Sequence, residues 1–202
     1  MKKLLIVLLL ASSLFSYSQS VSDVFEYKAV TFFGLDFTHA KCVGIGEFPG
    51  GAEMVNYYYP RWNQMFSEGK NNIPIGKPYK KKRVEYDTAV YEMNRMIPFD
   101  EIIQAQNFSF KKSQIEGLIE KYSSSEKAGL GLVYMVESLN AINEYASIWI
   151  VFFDIGTGKV LISEPTRAEG KGRKFEDHWT SAILRIYDNS ADDYKTWKKL
   201  YN

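Results

Sequence analysis

The chain is poor in the residues around which many enzymes and metal proteins are built. One cysteine, Cys42, stands among 202 residues, so no internal disulfide can form and the fold must stand on packing alone. Two histidines, His39 and His178, with a single thiol cannot be arranged into the usual zinc patterns. No Asp-x-Asp-x-Asp-Gly loop offers calcium an oxygen cage. Neither a metal nor another cofactor is expected. Charge of one sign is also missing: 25 Lys and Arg face 24 Asp and Glu. That balance argues against a general polyanion binder and gives no reason to expect nucleic acid. There is no internal repeat and no low-complexity linker.

What is present begins with MKKLLIVLLLASSLFSYSQS. Lys2 and Lys3 form a positive start, Leu4 to Ala11 a short apolar core, and Ser16 and Ser18 the small residues before a cut at Gln19. This is the signature of a secretory signal peptide, with an apolar run too short to cross a bilayer. No cysteine sits at the cut, so the protein is not expected to be a lipoprotein. The expectation is a signal peptide over 1–18 and one domain over 19–202, exported by a bacterium to the periplasm or beyond, with no transmembrane segment after cleavage. Removing 18 residues leaves 184, with 23 basic against 24 acidic, enough chain for a single core.

Aromatic residues make up 15% of the chain, and many recur periodically. Lys28 to Phe37 is rich in β-branched and aromatic residues and predicts a strand. Val55, Tyr58, Tyr59, Trp62, Met65 and Phe66 predict a helix over 53–67, which Pro60 should kink or split. The prolines and glycines of 70–82 predict a surface loop. A short strand over 83–86 follows, then a helix capped by Asp87 with Val90, Met93, Met96 and Ile97 near one face. Ser113-x-x-Glu116 reads as a capping box opening another helix. Three consecutive strands are expected over 129–139, 147–154 and 159–164. Ile148 to Phe153 is apolar throughout, as in a strand covered on both faces. Phe175 to Tyr187 predicts a helix, and Ser190-x-x-Asp193 the cap of a final short one. Together these predict an α+β fold: a mostly antiparallel sheet with a C-terminal three-strand meander, packed by about four helices.

The stretch most suggestive of chemistry is Asp154-Ile155-Gly156-Thr157-Gly158-Lys159. A P-loop needs a Gly separated by four residues from the Gly-Lys pair, and Ser or Thr after the Lys; here those positions are Phe153 and Val160. Asp and two Gly between apolar runs are what a tight turn requires, so the stretch should turn the chain. Asp36, His39 and Cys42 are the residue types of a thiol-hydrolase triad, yet on a strand His39 would face away from the other two. Glu176, Asp177 and His178 sit at a helix start, where acids are favoured. Lys80, Lys81, Lys82 and Arg83 form one basic run, and Arg167, Lys171, Arg173 and Lys174 another; either is a candidate binding surface for anionic groups. Among Tyr57, Tyr58, Tyr59 and Trp62, helical spacing leaves Tyr57 exposed.

The order of AGLGLVYMVE, SIWIVFFD, the turn IGTGK, VLISE, a glycine-rich basic loop and a helix bearing Trp179 resembles small uncharacterised secreted proteins of Bacteroidetes-type bacteria. It is more faintly similar to the CsgG and TolB N-terminal-like domains. The resemblance implies an α+β sandwich serving in envelope assembly or protein docking, and it carries over no catalytic residue. The leading expectation is a non-catalytic envelope or secreted protein acting through the two basic runs and the Gly44 to Gly51 segment on an envelope partner. The alternatives are a small hydrolase using Asp36, His39 or Cys42, and a glycan-binding module using Tyr57 and other exposed rings.

Overall fold

The computed structural model describes residues 19–69, 72–124 and 127–201; the expected signal peptide lies outside them. The strands are β1 (Ala29–Asp36), β2 (Lys41–Val43), β3 (Arg83–Tyr86), β4 (Ile103–Gln104), β5 (Leu130–Asn140), β6 (Tyr145–Asp154) and β7 (Val160–Glu169). The helices are α1 (Asp23–Glu26), α2 (Gly51–Glu53), α3 (Tyr59–Met65), α4 (Ala89–Arg95), α5 (Lys112–Ile119) and α6 (Phe175–Tyr201).

The seven strands among the described residues join one sheet. β1 pairs in parallel with β3 and β5, and β2 in parallel with β4 and β5. Only β5–β6 and β6–β7 are antiparallel. Four of six pairings are therefore parallel, which corrects the expected mostly antiparallel α+β sheet to an α/β arrangement. The physical reason lies in the connections. Between β1 or β2 and β5 the chain runs through helices, which carry it back to enter the sheet in the same direction. Hydrophobic patterning marks strands but not their direction.

Helices cover both faces of the sheet. Leu132, Tyr134 and Val136 of β5 and Ile148, Ile150 and Phe152 of β6 join one core with Tyr59 and Trp62 of α3 and Trp179, Ile183, Ile186 and Tyr194 of α6. The intervening Val133, Met135, Trp149, Val151 and Phe153 join a second core with Val90 of α4 and Ile115 and Ile119 of α5. Every residue of β5 is buried. A strand with cores on both sides cannot afford a polar face, which explains the unbroken apolar run in β6.

Several local expectations are corrected. A π-helical turn, Met54–Tyr58, joins α2 to α3 just before Pro60. Proline lacks an N–H and crowds the carbonyl four residues earlier, so the helix widens where a kink was expected. The expected surface loop over 70–82 instead buries Ile75 and Tyr79 completely. Its Pro and Gly turn the backbone while its large apolar side chains cover one core. At α5, Lys111 N donates to Gln114 Oε1 at 2.7 Å, so the side-chain cap begins two residues before the expected Ser113 box. The two C-terminal helices are one helix of 27 residues: Ser190 Oγ donates back to Tyr187 O at 2.6 Å, so it caps nothing.

Beyond Phe32, β1 loses β3 as its neighbour, and two asparagines take over that edge. Asn63 accepts from Leu35 N at 2.7 Å and donates to Leu35 O at 2.9 Å. Asn94 accepts from Phe37 N and donates to Leu35 O, both at 2.8 Å. Side-chain amides thereby replace a missing strand and leave these buried backbone groups satisfied.

Candidate functional site

The turn after β6 bears on the phosphate-loop question. Asp154 N donates to Lys159 O at 2.9 Å and Gly158 N to Asp154 O at 2.8 Å. Asp154 Oδ1 accepts from Thr157 N at 3.0 Å. Gly158 has φ +71, a left-handed conformation that glycine adopts without strain. The stretch closes the β6–β7 hairpin, and Oδ1 of the Asp154 carboxylate caps the turn.

Asp36, His39 and Cys42 do not hydrogen-bond one another. The Asp36 carboxylate, at the end of β1, accepts from Thr38 N at 2.8 Å, Thr38 Oγ1 at 2.6 Å, Lys121 Nζ at 2.9 Å and the Tyr122 hydroxyl. Burial raises its pKa, but the Lys121 charge and these hydrogen bonds outweigh burial and hold it below the ordinary value. Cys42 points into the core, where Sγ lies 3.5 Å from Tyr59 Oη. Burial pushes its thiol up to about 12, so it stays protonated and non-nucleophilic at neutral pH. His39 is exposed. A thiol, a base and a carboxylate are present without the relay that would couple them.

The two basic runs behave differently. Lys80, Lys82 and Arg83 are exposed, and Arg83 pairs with Glu85 at 3.0 Å. Lys81 is turned inward: Nζ donates to Val24 O and to Tyr27 O, the latter at 2.8 Å. These are carbonyls at the end of α1, where a cation is favoured. Burial lowers its pKa to about 8. Lys81 is a structural residue of this loop.

In the second run, Arg167 reaches toward the interior. Its guanidinium lies 3.8 Å from buried Glu137 Oε2 and over the Tyr145 ring at 5.1 Å. Glu137 also accepts from Phe110 N, Ser147 Oγ and Trp149 Nε1. Lys171, Arg173 and Lys174 are exposed, and no acidic side chain among the described residues pairs with them. The two runs do not form one patch. The second leads directly into α6 at Phe175, whereas Lys81 approaches Tyr194 on the same helix, about 28 Å further along at the α-helical rise.

The second run meets another expected contact region. Phe48, from the Gly44 to Gly51 segment, stacks on Trp179 at 5.7 Å and meets Phe175 edge-on at the same distance. This packing brings Glu47 beside Arg173, Lys174 and His178 around a cleft of about 200 Å³, with Glu144 of the β5–β6 turn on its rim. Gly170 lets His178 fit: a Cβ there would lie 2.7 Å from His178 Cε1. Gly44 sits against Ala141 in the same way, 3.2 Å from its Cβ. The next residue on each side, Ile45 and Ile142, is 74% and 62% exposed. Segments following β2 and β5 thus form an apolar ledge beside a cationic rim, at the carboxyl end of these two parallel strands.

Sequence reasoning missed Glu144, Ile142 and His178 as members of this region, and included Glu47 only as part of the Gly44 to Gly51 segment. The lone isoleucine between Ala141 and Asn143, in a turn, was the available signal. The glycan alternative requires a row of open rings. Tyr57 is 45% exposed, but the Arg61 guanidinium lies over its ring at 4.9 Å, and its neighbours Tyr59 and Trp62 are buried completely.

No family model matches the chain, and no curated protein matches it. Among solved structures it is similar to lipoprotein GNA1162 from Neisseria meningitidis, at 9% identity and a TM-score of 0.35, over 82% of this chain and 97% of that one. It is also similar to the hypothetical protein CT253 from Chlamydia trachomatis, at 8% identity and a TM-score of 0.36, over 87% and 97%. At these scores neither likeness bears on function. Among the described residues no helix is long and apolar enough to cross a membrane.

Proposed function

We propose that this protein is an exported, non-catalytic envelope or secreted protein that acts by binding a partner at the carboxyl-end ledge. The observation that carries this reading is the juxtaposition of three cations without acidic partners, Lys171, Arg173 and Lys174, with the cleft and ledge that Phe48 and Gly44 bring beside them. Exposed isoleucines supply apolar area, and unpaired cations supply orientation and on-rate toward an acidic surface. The partner is a protein or envelope component whose acidic groups border an apolar patch.

The test is a pull-down of residues 19–202 from the envelope fraction of the source cell, with three variants alongside. The triple charge reversal K171E/R173E/K174E and the ledge variant I45S/I142S should each lose the captured partner. The reversal K80E/K82E, at the other basic run, should keep it. Capture that survives both ledge variants refutes the assignment of the surface. Saturable turnover of a defined substrate, abolished by substituting one polar residue, refutes the non-catalytic reading.

A further inference from the structure

A buried polar contact outside the ledge joins the chain's expected mature end to the β6–β7 hairpin. Gln19 N donates to Asp154 Oδ2 at 2.8 Å across 135 positions. Gln19 is 5% exposed and Asp154 4%. Lys159 Nζ lies 3.4 Å from Gln19 O, so the hairpin grips this residue from two sides. Asp154 has no cationic side-chain partner among the described residues. A buried carboxylate without a cation is costly. Gln19 Oε1 is also buried and has no hydrogen-bond partner among the described residues, so the same place holds an unused acceptor.

Both features are accounted for if Gln19 is the first residue of the working protein. We propose that the Asp154 site is a receptor for the protein's own α-ammonium group, generated when export cleaves the chain after Ser18. The inference rests on that cut, which the sequence predicts. Hydrolysis of the Ser18–Gln19 bond leaves a carboxylate on Ser18 and an amine on Gln19, which takes up a proton. The nitrogen already beside Asp154 Oδ2 then carries the missing positive charge and two further hydrogens. Leader removal thereby turns a neutral hydrogen bond into a buried ion pair and ties α1 and the residues before it to the sheet. A chain still carrying its leader has only the neutral contact, so the exported form is the more stable one.

The experiment uses the full chain expressed with its leader and recovered after export. Intact mass and N-terminal sequencing are read first, then the rate of reductive methylation of the α-amine in native and denatured protein. A free Gln19 amine that is methylated at least about tenfold more slowly in the native state supports the proposal, since an α-ammonium otherwise deprotonates near 8. D154N retains an acceptor for Thr157 N and should restore fast methylation. A chain bearing one extra residue before Gln19 should lose protection as well. A cut elsewhere, a terminus lighter by one ammonia (ring closure to the lactam), or an amine equally reactive in both states overturns it. The wild-type rates decide the matter even if D154N does not fold.

Discussion

Gly131 of β5 lies directly opposite Phe153 of β6, and the aromatic ring occupies the space a side chain would need. A Cβ added at Gly131 would lie 2.6 Å from Phe153 Cε1 and 2.8 Å from Cε2. Carbon atoms settle near 3.5–4.0 Å, so the ring would have to retreat by about 1 Å. It has nowhere to go: Phe153 is completely buried, with Phe33 at 5.2 Å and Tyr122 at 5.9 Å. Overpacking of this kind costs about 1–3 kcal/mol, and the reduced freedom of the unfolded chain returns about 0.4–1 kcal/mol. G131A should therefore be about 1–2 kcal/mol less stable than the parent. F153L leaves part of the ring's volume empty and should cost about 1–2 kcal/mol, a fraction of a full truncation to alanine. In the double variant the new methyl enters the vacated space, so the combined loss should fall short of the sum by about 1 kcal/mol or more. Urea unfolding at neutral pH measures this through the midpoint at unchanged slope. G131A with parental stability, or two losses that add, would refute the packing argument.

Two further predictions concern the triad residues. Cys42 should resist thiol reagents in the folded protein at neutral pH and react on unfolding, because burial holds its thiol near 12; rapid labelling of native protein would contradict the buried geometry. Asp36 has a folded-state pKa below its ordinary 3.8, so its stabilising contribution is present above that value and is lost as pH falls through the lower, folded one. Acid unfolding of D36N should lack that part of the decline; superimposable acid limbs for parent and D36N would show that the Lys121 and Tyr122 contacts do not depress this group.

Much of the secondary structure was legible because its causes are local. The unbroken burial of β6, the glycine turn at Gly158, the exposed Tyr57 and the buried Tyr59 all follow from residue type and period. Local reasoning also misled in places. Ser190 and Asp193 look like a helix start, yet a serine hydroxyl can bond backward within a continuing helix. The prolines around Ile75 and Tyr79 looked like a surface excursion, although turn residues say where a backbone bends and not which way its side chains face. Asp36, His39 and Cys42 are six positions apart at most, and their partners come from elsewhere: Lys121 and Tyr122 for one, Tyr59 for another.

The sequence alone determined most of the longer strands and helices, that β6 must be covered on both sides, and that the Asp154 to Lys159 stretch is a turn, since backbone conformation and hydrophobic period are short-range properties. Only the tertiary structure decided that most strand pairings are parallel, that Lys81 is interior while Lys171, Arg173 and Lys174 remain unpaired, and that residues near positions 45, 142 and 173 share one surface. Strand direction and surface proximity depend on how helices carry the chain back across the sheet and on long-range fits such as Phe48 against Trp179.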